Sequence, residues 1–148
     1  HQLRPIILYE LGLVCAVESM INKIKDHSAV NWKVSSDIDA LHLSKSFALT
    51  AYRVCQEAIT NVLKHAKATK CSISFKYTSK ELQLSVCDNG LGFNIESKNR
   101  SGKLGLFGME ERIKQWEGVL KISHSTKGGT NLVISFPLSK IQKRMVRP

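Results

Sequence analysis

Apolar residues along this chain recur with two different periods. Over residues 6–25, Leu13, Val14, Val17, Met20, Ile21 and Ile24 fall three and four apart, which predicts an amphipathic helix. NWKVSSD alternates weakly and reads as a short strand. Ser44 or Ser46 is placed to cap a long helix reaching about Lys67. Within it, Ala51, Val54, Cys55, Ala58, Ile59, Val62, Leu63 and Ala66 form one broad apolar arc, an ordinary core face. CSISFKYT and ELQLSVCD alternate with a period of two and predict strands, as do VLKISHS and TNLVISFPL further on. Between these pairs lie a polar loop, NIESKNRSGK, and a helix from about Leu106 to Trp116. Helices followed by mostly adjacent strands predict an α+β layer rather than βαβ units. There is no internal repeat and no low-complexity segment.

The alternation raises a question at its end. Leu82, Leu84 and Val86 share one face of their strand, and the same period turns Asp88 inward beside them. Asn89-Gly90 and Gly92 follow. A turn accounts for these residues, because Asp and Asn-Gly favour turns at strand ends. The other account is a carboxylate that reads a ligand, with glycines admitting backbone close to it. In isolation the turn is the better account, though the inward phase of Asp88 counts against it.

Three other places carry candidate chemistry. Glu57 and Asn61 stack four residues apart at the edge of the apolar arc; Arg53 and Lys64 continue the row, and His65 leans toward the core. Such a pair is commonly only solvated. Yet an Asn at the border of a buried face offers a neutral carbonyl oxygen, suited to Mg²⁺ that also holds nucleotide phosphates. Gly105 and Gly108 open the last helix, where free N–H groups suit phosphate. Glu110 and Glu111, read as first-turn residues, would stabilise that same end without any ligand. Gly128-Gly129-Thr130 joins two strands and reads as a hairpin turn.

Composition narrows the field. At 148 residues, 43% hydrophobic and 23% charged, the chain suits one soluble domain with a real core. No apolar run approaches the ~20 residues that span a bilayer, and no signal sequence opens it. The chain begins on HQLRPIILYELGL, already periodic and without Met, so it is expected to be a piece of something longer. Its net charge of +10 suggests an anionic partner: nucleic acid, a membrane surface or a phosphorylated ligand. Only the tail SKIQKRMVRP is dense in charge, which suits a solvated end. Cys15, Cys55, Cys71 and Cys87 form no CxxC pair and read as reduced, mostly buried and cytosolic, with Cys15 and Cys55 on apolar helical faces. P-loop, Rossmann, protein-kinase, zinc-finger and helix-turn-helix signatures are all missing.

In order, however, the chain shows YRVCQEAITNVLKHAKA, VCDNGLGF, GKLGLFGMEERI and KGGTNLVISFPL. This order and spacing resemble the ATP-binding catalytic domain of bacterial sensor histidine kinases. Within them it is similar to the subfamily paired with LuxR-type response regulators, nitrate-type and sugar-phosphate-type sensors included. The opening LRPIILYELGLVCAVE resembles the stretch where that subfamily's dimerisation helices hand over to the catalytic domain. The resemblance implies the Bergerat fold, an α+β two-layer α/β sandwich with a mixed sheet covered by helices on one face. It implies a linker-helix end over residues 1–10, a catalytic domain over 11–140 and a basic tail over 141–148.

The resemblance also implies roles. ATP and Mg²⁺ are the expected cofactors, with Asn61 as the metal ligand and Glu57 as the base polarising an attacking histidine. Lys64 and His65 would serve the phosphates. Asp88 would accept the adenine amino group, with Gly90 and Gly92 letting backbone close over the base. Gly105, Leu106 and Gly108 would flank the phosphates, Thr130 would support Asp88 through water, and NIESKNRSGK with Lys103 would form a lid over ATP. The implied partners are the parent's own dimerisation domain, which carries the phosphoacceptor histidine, and a cognate response regulator. No direct nucleic acid contact is expected, and the parent is expected to be a homodimer with its catalytic part in the cytoplasm.

The match has departures. Lys103 stands where the family often has Gly, and Glu117-Gly118 replaces its Gly-Gly after the last helix. The phosphoacceptor histidine, followed by an acidic residue on an upstream helix, is absent; His1 lies in the wrong context. Other readings are an anti-sigma-type serine kinase of the same fold, against which the opening LRP…LGL speaks, and a degenerate module without phosphotransfer. A basic nucleic-acid binder rests on net charge alone and predicts affinity that falls steeply with salt.

Overall fold

The computed structural model describes residues 5–92, 105–124 and 128–143. Its elements, in chain order, are α1 (Ile6–Leu11), α2 (Leu13–Ile24), β1 (Asn31–Ser36), α3 (Lys45–Asn61), β2 (Lys70–Tyr77), β3 (Glu81–Asp88), α4 (Leu106–Lys114), β4 (Val119–His124), β5 (Thr130–Pro137) and the short α5 (Leu138–Ile141). The five strands form one mixed sheet in the order β1-β2-β3-β5-β4.

The sheet is amphipathic because each strand alternates. Cys71, Ile73 and Phe75 of β2, Leu82, Leu84 and Val86 of β3, and Leu132, Ile134 and Phe136 of β5 are buried on one face. Ser72, Ser74, Gln83, Ser85 and Ser135 lie between them on the other. The helices cover the apolar face. Phe47 of α3 packs edge-on against Phe136, ring centroids 4.8 Å apart, and against Trp116 at 5.4 Å. The Ser44 hydroxyl accepts from the Phe47 N–H at 3.2 Å and caps α3, as a Ser at that point predicts.

Several expectations change. The helix over 6–25 is two helices, broken at Gly12, whose φ of +92° is left-handed and interrupts any helix. β1 pairs with β2 in parallel, with α3 crossing between them, so the chain contains a βαβ unit after all. The apolar arc of α3 conceals that crossover, because adjacency in sequence says nothing of strand direction. α3 itself stops at Asn61 and passes into a π turn over Val62–Ala66, short of Lys67, which adopts a left-handed conformation at φ +49°. α4 ends at Lys114, and its first turn holds no acidic residue, so Glu110 and Glu111 do not compete for that end. Cys15 is exposed on α2, whereas Cys55 and Cys71 are buried and Cys87 is half-buried. Among the described residues no helix is long and apolar enough to cross a membrane.

Candidate functional site

The site lies where the C-terminal end of α3, the end of β3, the start of β5 and the start of α4 converge. β3 pairs antiparallel with β5, Cys87 opposite Asn131, so Asp88 and Thr130 are neighbours one step further along on the apolar face. Asp88 Oδ1 accepts from the Gly90 N–H at 2.8 Å, a local turn. Beneath it, Cys71 is held neutral: burial, reinforced by the Asp88 and Cys87 charges, pushes its thiol up to about 12. The Thr130 hydroxyl is buried and has no hydrogen-bond partner among the described residues. A buried oxygen left this way calls for a water or ligand group at this spot.

Asn89 secures the loop from the other side. Its side-chain oxygen accepts from the Thr69 and Lys70 N–H groups, each at 2.9 Å, and its amide donates to Thr69 Oγ1 at 2.8 Å. The Leu91 N–H donates to the Ala66 carbonyl at 2.7 Å. A Cβ on Gly90 would collide with that same carbonyl, so Gly90 is required by the end of the π turn that follows α3. Gly92, at φ +72°, lies against His124, whose Nδ1 a Cβ would meet at 3.0 Å. A Cβ on Gly129 would strike the Asp88 carbonyl. Ala66, His124 and Gly129 were invisible as neighbours of this loop in the sequence, because strand pairing and helix packing bring them there.

On α3, Asn61 is 7% exposed and Glu57 half-buried, one helical turn apart. The π turn that follows carries exposed Lys64 and half-buried His65. Such turns are often found at functional sites, where they re-aim side chains. Facing them, α4 begins on Gly105 at φ +63°; a Cβ there would collide with the Glu57 carboxylate, so the helix start is seated on Glu57. The first N–H groups of α4 have no partner within the helix and form the positive end of its dipole. Leu106 is buried and contributes only its backbone, whereas a Cβ on Gly108 would meet open space. Between the helices a cleft of about 190 Å³ is lined by Arg53, Gln56, Glu57, Gly105, Gly108 and Arg112. Lys103 and NIESKNRSGK lie outside the described residues.

The structure therefore gathers Glu57, Asn61, Lys64, His65, Asp88, Gly90, Gly92, Gly105, Gly108 and Thr130 at one end of the sandwich. The Asn61 side chain, 7% exposed at the border of the core, carries the kind of neutral amide oxygen that can ligate a hard cation. Among the described residues no cluster of three or more His, Cys, Asp or Glu side chains could hold a metal ion.

The fold is a five-stranded mixed sheet covered by helices on its apolar face, of the α/β sandwich class, in a chain that carries no P-loop sequence. Residues 48–140 match the family described as histidine kinase-, DNA gyrase B- and HSP90-like ATPases, and the chain belongs to that family. It is 35% identical over 143 residues to the sensor histidine kinase MctS of Rhizobium johnstonii, covering 94% of this chain and 30% of that protein. The chain thus spans less than a third of the curated relative's length. Its fold is similar to the blue-light activated histidine kinase of Erythrobacter litoralis EL346, with a TM-score of 0.72 at 23% identity over 86% of this chain and 42% of that one. It is likewise similar to the nucleotide-free catalytic domain of histidine kinase ThkA, with a TM-score of 0.70 at 15% identity over 86% of this chain and 92% of that one.

Proposed function

We propose that this chain binds Mg-ATP and transfers the γ-phosphate to a histidine on a separate dimerisation domain, as the catalytic part of a two-component sensor kinase. The observation that carries this reading is the stack of Glu57 over Asn61, with Glu57 set against the start of α4. A carboxylate, a neutral metal ligand and free helix N–H groups thereby meet at one point.

Phosphoryl transfer depends on positioning and on neutralising charge more than on covalent help. Asp88 accepts the adenine amino group, and the unpartnered Thr130 hydroxyl reaches the base or Asp88 through a water. Lys64, His65 and the first N–H groups of α4 hold the phosphates. When bound, Mg²⁺ through Asn61 neutralises phosphate charge. The incoming imidazole forms its N–P bond as the bond to the ADP oxygen breaks, and Glu57 holds the proton on the ring's other nitrogen. The phosphoryl group then passes to an aspartate of a response regulator. The parent is a homodimer whose catalytic part faces the cytoplasm, where ATP is available. The similarity to a sensor histidine kinase supports the reading.

Calorimetric titration with Mg-ATP tests the site. Asp88→Asn is expected to lose nucleotide binding while its circular dichroism stays native; equal affinity in the two proteins would remove Asp88 from the site. Glu57→Gln is expected to bind ATP yet fail to phosphorylate an added dimerisation domain. Undiminished transfer would remove Glu57 from the mechanism.

A further inference from the structure

The cleft beside Glu57 extends along α3 away from Asn61, as far as Arg53. Along α3, Asn61, Glu57 and Arg53 stand one turn apart; along α4, Gly105, Gly108 and Arg112 run the opposite way in sequence and the same way in space. Asn61 and Gly105 mark the phosphate end. Arg53 and Arg112 mark the other, on two different helices across one opening.

At about 190 Å³ the cleft is too small for a nucleotide, since ligand pockets run to about 300–1,000 Å³. It accommodates one or two side chains of a partner. Arg53 is half-buried and steadied by its Nη1 donating to Gln56 Oε1 at 3.3 Å, whereas Arg112 is exposed. The Lys140–Glu117 ion pair lies elsewhere, and no carboxylate among the described residues pairs with Arg112. Two guanidinium groups flanking an opening favour a planar, bidentate anion.

We propose that Arg53 and Arg112 form a carboxylate-recognition pair that positions the acceptor domain, an acidic side chain on its docking helix seating between them so that the histidine reaches Glu57. The inference rests on the histidine-kinase reading above. In it the arginines are positioning residues: they touch the partner's surface, not the phosphoryl group. Their distance from the phosphate end predicts an effect on acceptor KM rather than on ATP affinity.

The test uses the 148-residue chain and the separately purified phosphoacceptor domain of its own sensor kinase, with radiolabelled ATP. Arg112→Glu, on an exposed helix face, and Arg53→Glu are each expected to raise the acceptor KM at least tenfold. ATP affinity by calorimetry stays within twofold, Arg112→Lys falls in between, and added salt raises the wild-type KM. Reversing one acidic residue of the acceptor's docking helix to Lys is expected to restore transfer by Arg112→Glu. An unchanged acceptor KM in both Glu variants overturns the proposal, as does a loss of ATP affinity, which would place the arginines in the nucleotide site. Absence of any transfer by the unaltered chain, with ATP still bound, overturns the kinase reading and this inference with it.

Discussion

Asp88 meets two demands at one position. Its Oδ1 accepts from the Gly90 N–H and closes the turn, and in the proposed function the same carboxylate, beside Thr130, reads the base. The turn and the ligand reading are therefore not rivals. Glu117 is a residue of another kind. It occupies the left-handed region at φ +57°, just after α4, where the Gly118 N–H closes onto the Ile113 carbonyl. A side chain in that region costs about 1 kcal/mol, and the exposed Lys140 pair at 3.6 Å returns little. Glu117→Gly is expected to raise stability by about 0.5–1 kcal/mol, read as a shift of the urea midpoint. An unchanged or lower midpoint would show that no strain is stored there.

At the scale of elements, α3 does two jobs. One face supplies Phe47, Val54, Cys55 and Ile59 to the core, its last turns carry Glu57 and Asn61, and the π turn that continues it carries Lys64 and His65. The π turn that follows it is tied to the loop after Asp88 by the Leu91–Ala66 bond, and the Asn89 side chain ties that loop to the start of β2. That junction sets the distance between the two halves of the site. Asn89→Ala removes three hydrogen bonds from a partly solvated loop and is expected to cost about 1–2 kcal/mol. It is expected to weaken ATP binding by more than the stability loss explains, because Asp88 then moves relative to α3. Full ATP affinity in a destabilised Asn89→Ala chain would separate the staple from the site.

At the scale of the whole molecule, one apolar face of a mixed sheet and one layer of helices share a core that contains two thiols. Burial pushes Cys55 and Cys71 up to about 12. In the unfolded chain these thiols ionise near 9, so above that pH the unfolded state binds fewer protons than the native one. Their contribution is complete below about pH 9 and is lost as pH rises toward 12, at about 1.4 kcal/mol per unit for each thiol. Urea midpoints between pH 8 and 10.5 are expected to fall, and to fall less steeply in Cys55→Ala/Cys71→Ala. Parallel slopes in the two proteins would show that other groups set the alkaline limit.

Much of this was legible in the chain, because periodicity is a local consequence of backbone geometry. The strands, the Ser44 cap, the inward phase of Asp88 and the Glu57–Asn61 stack all follow from residues within a turn or a strand of one another. The motif order was enough to indicate the fold. Tertiary structure alone decided the rest. The break at Gly12, the parallel β1–β2 pair, the π turn after Asn61, the seat of Gly90 on Ala66 and the Arg53–Arg112 cleft each join residues far apart in sequence, or depend on a conformation that only packing selects. A sequence specifies which faces are apolar and which residues can bend; long-range pairing decides which of those faces meet, and a binding site exists only where they do.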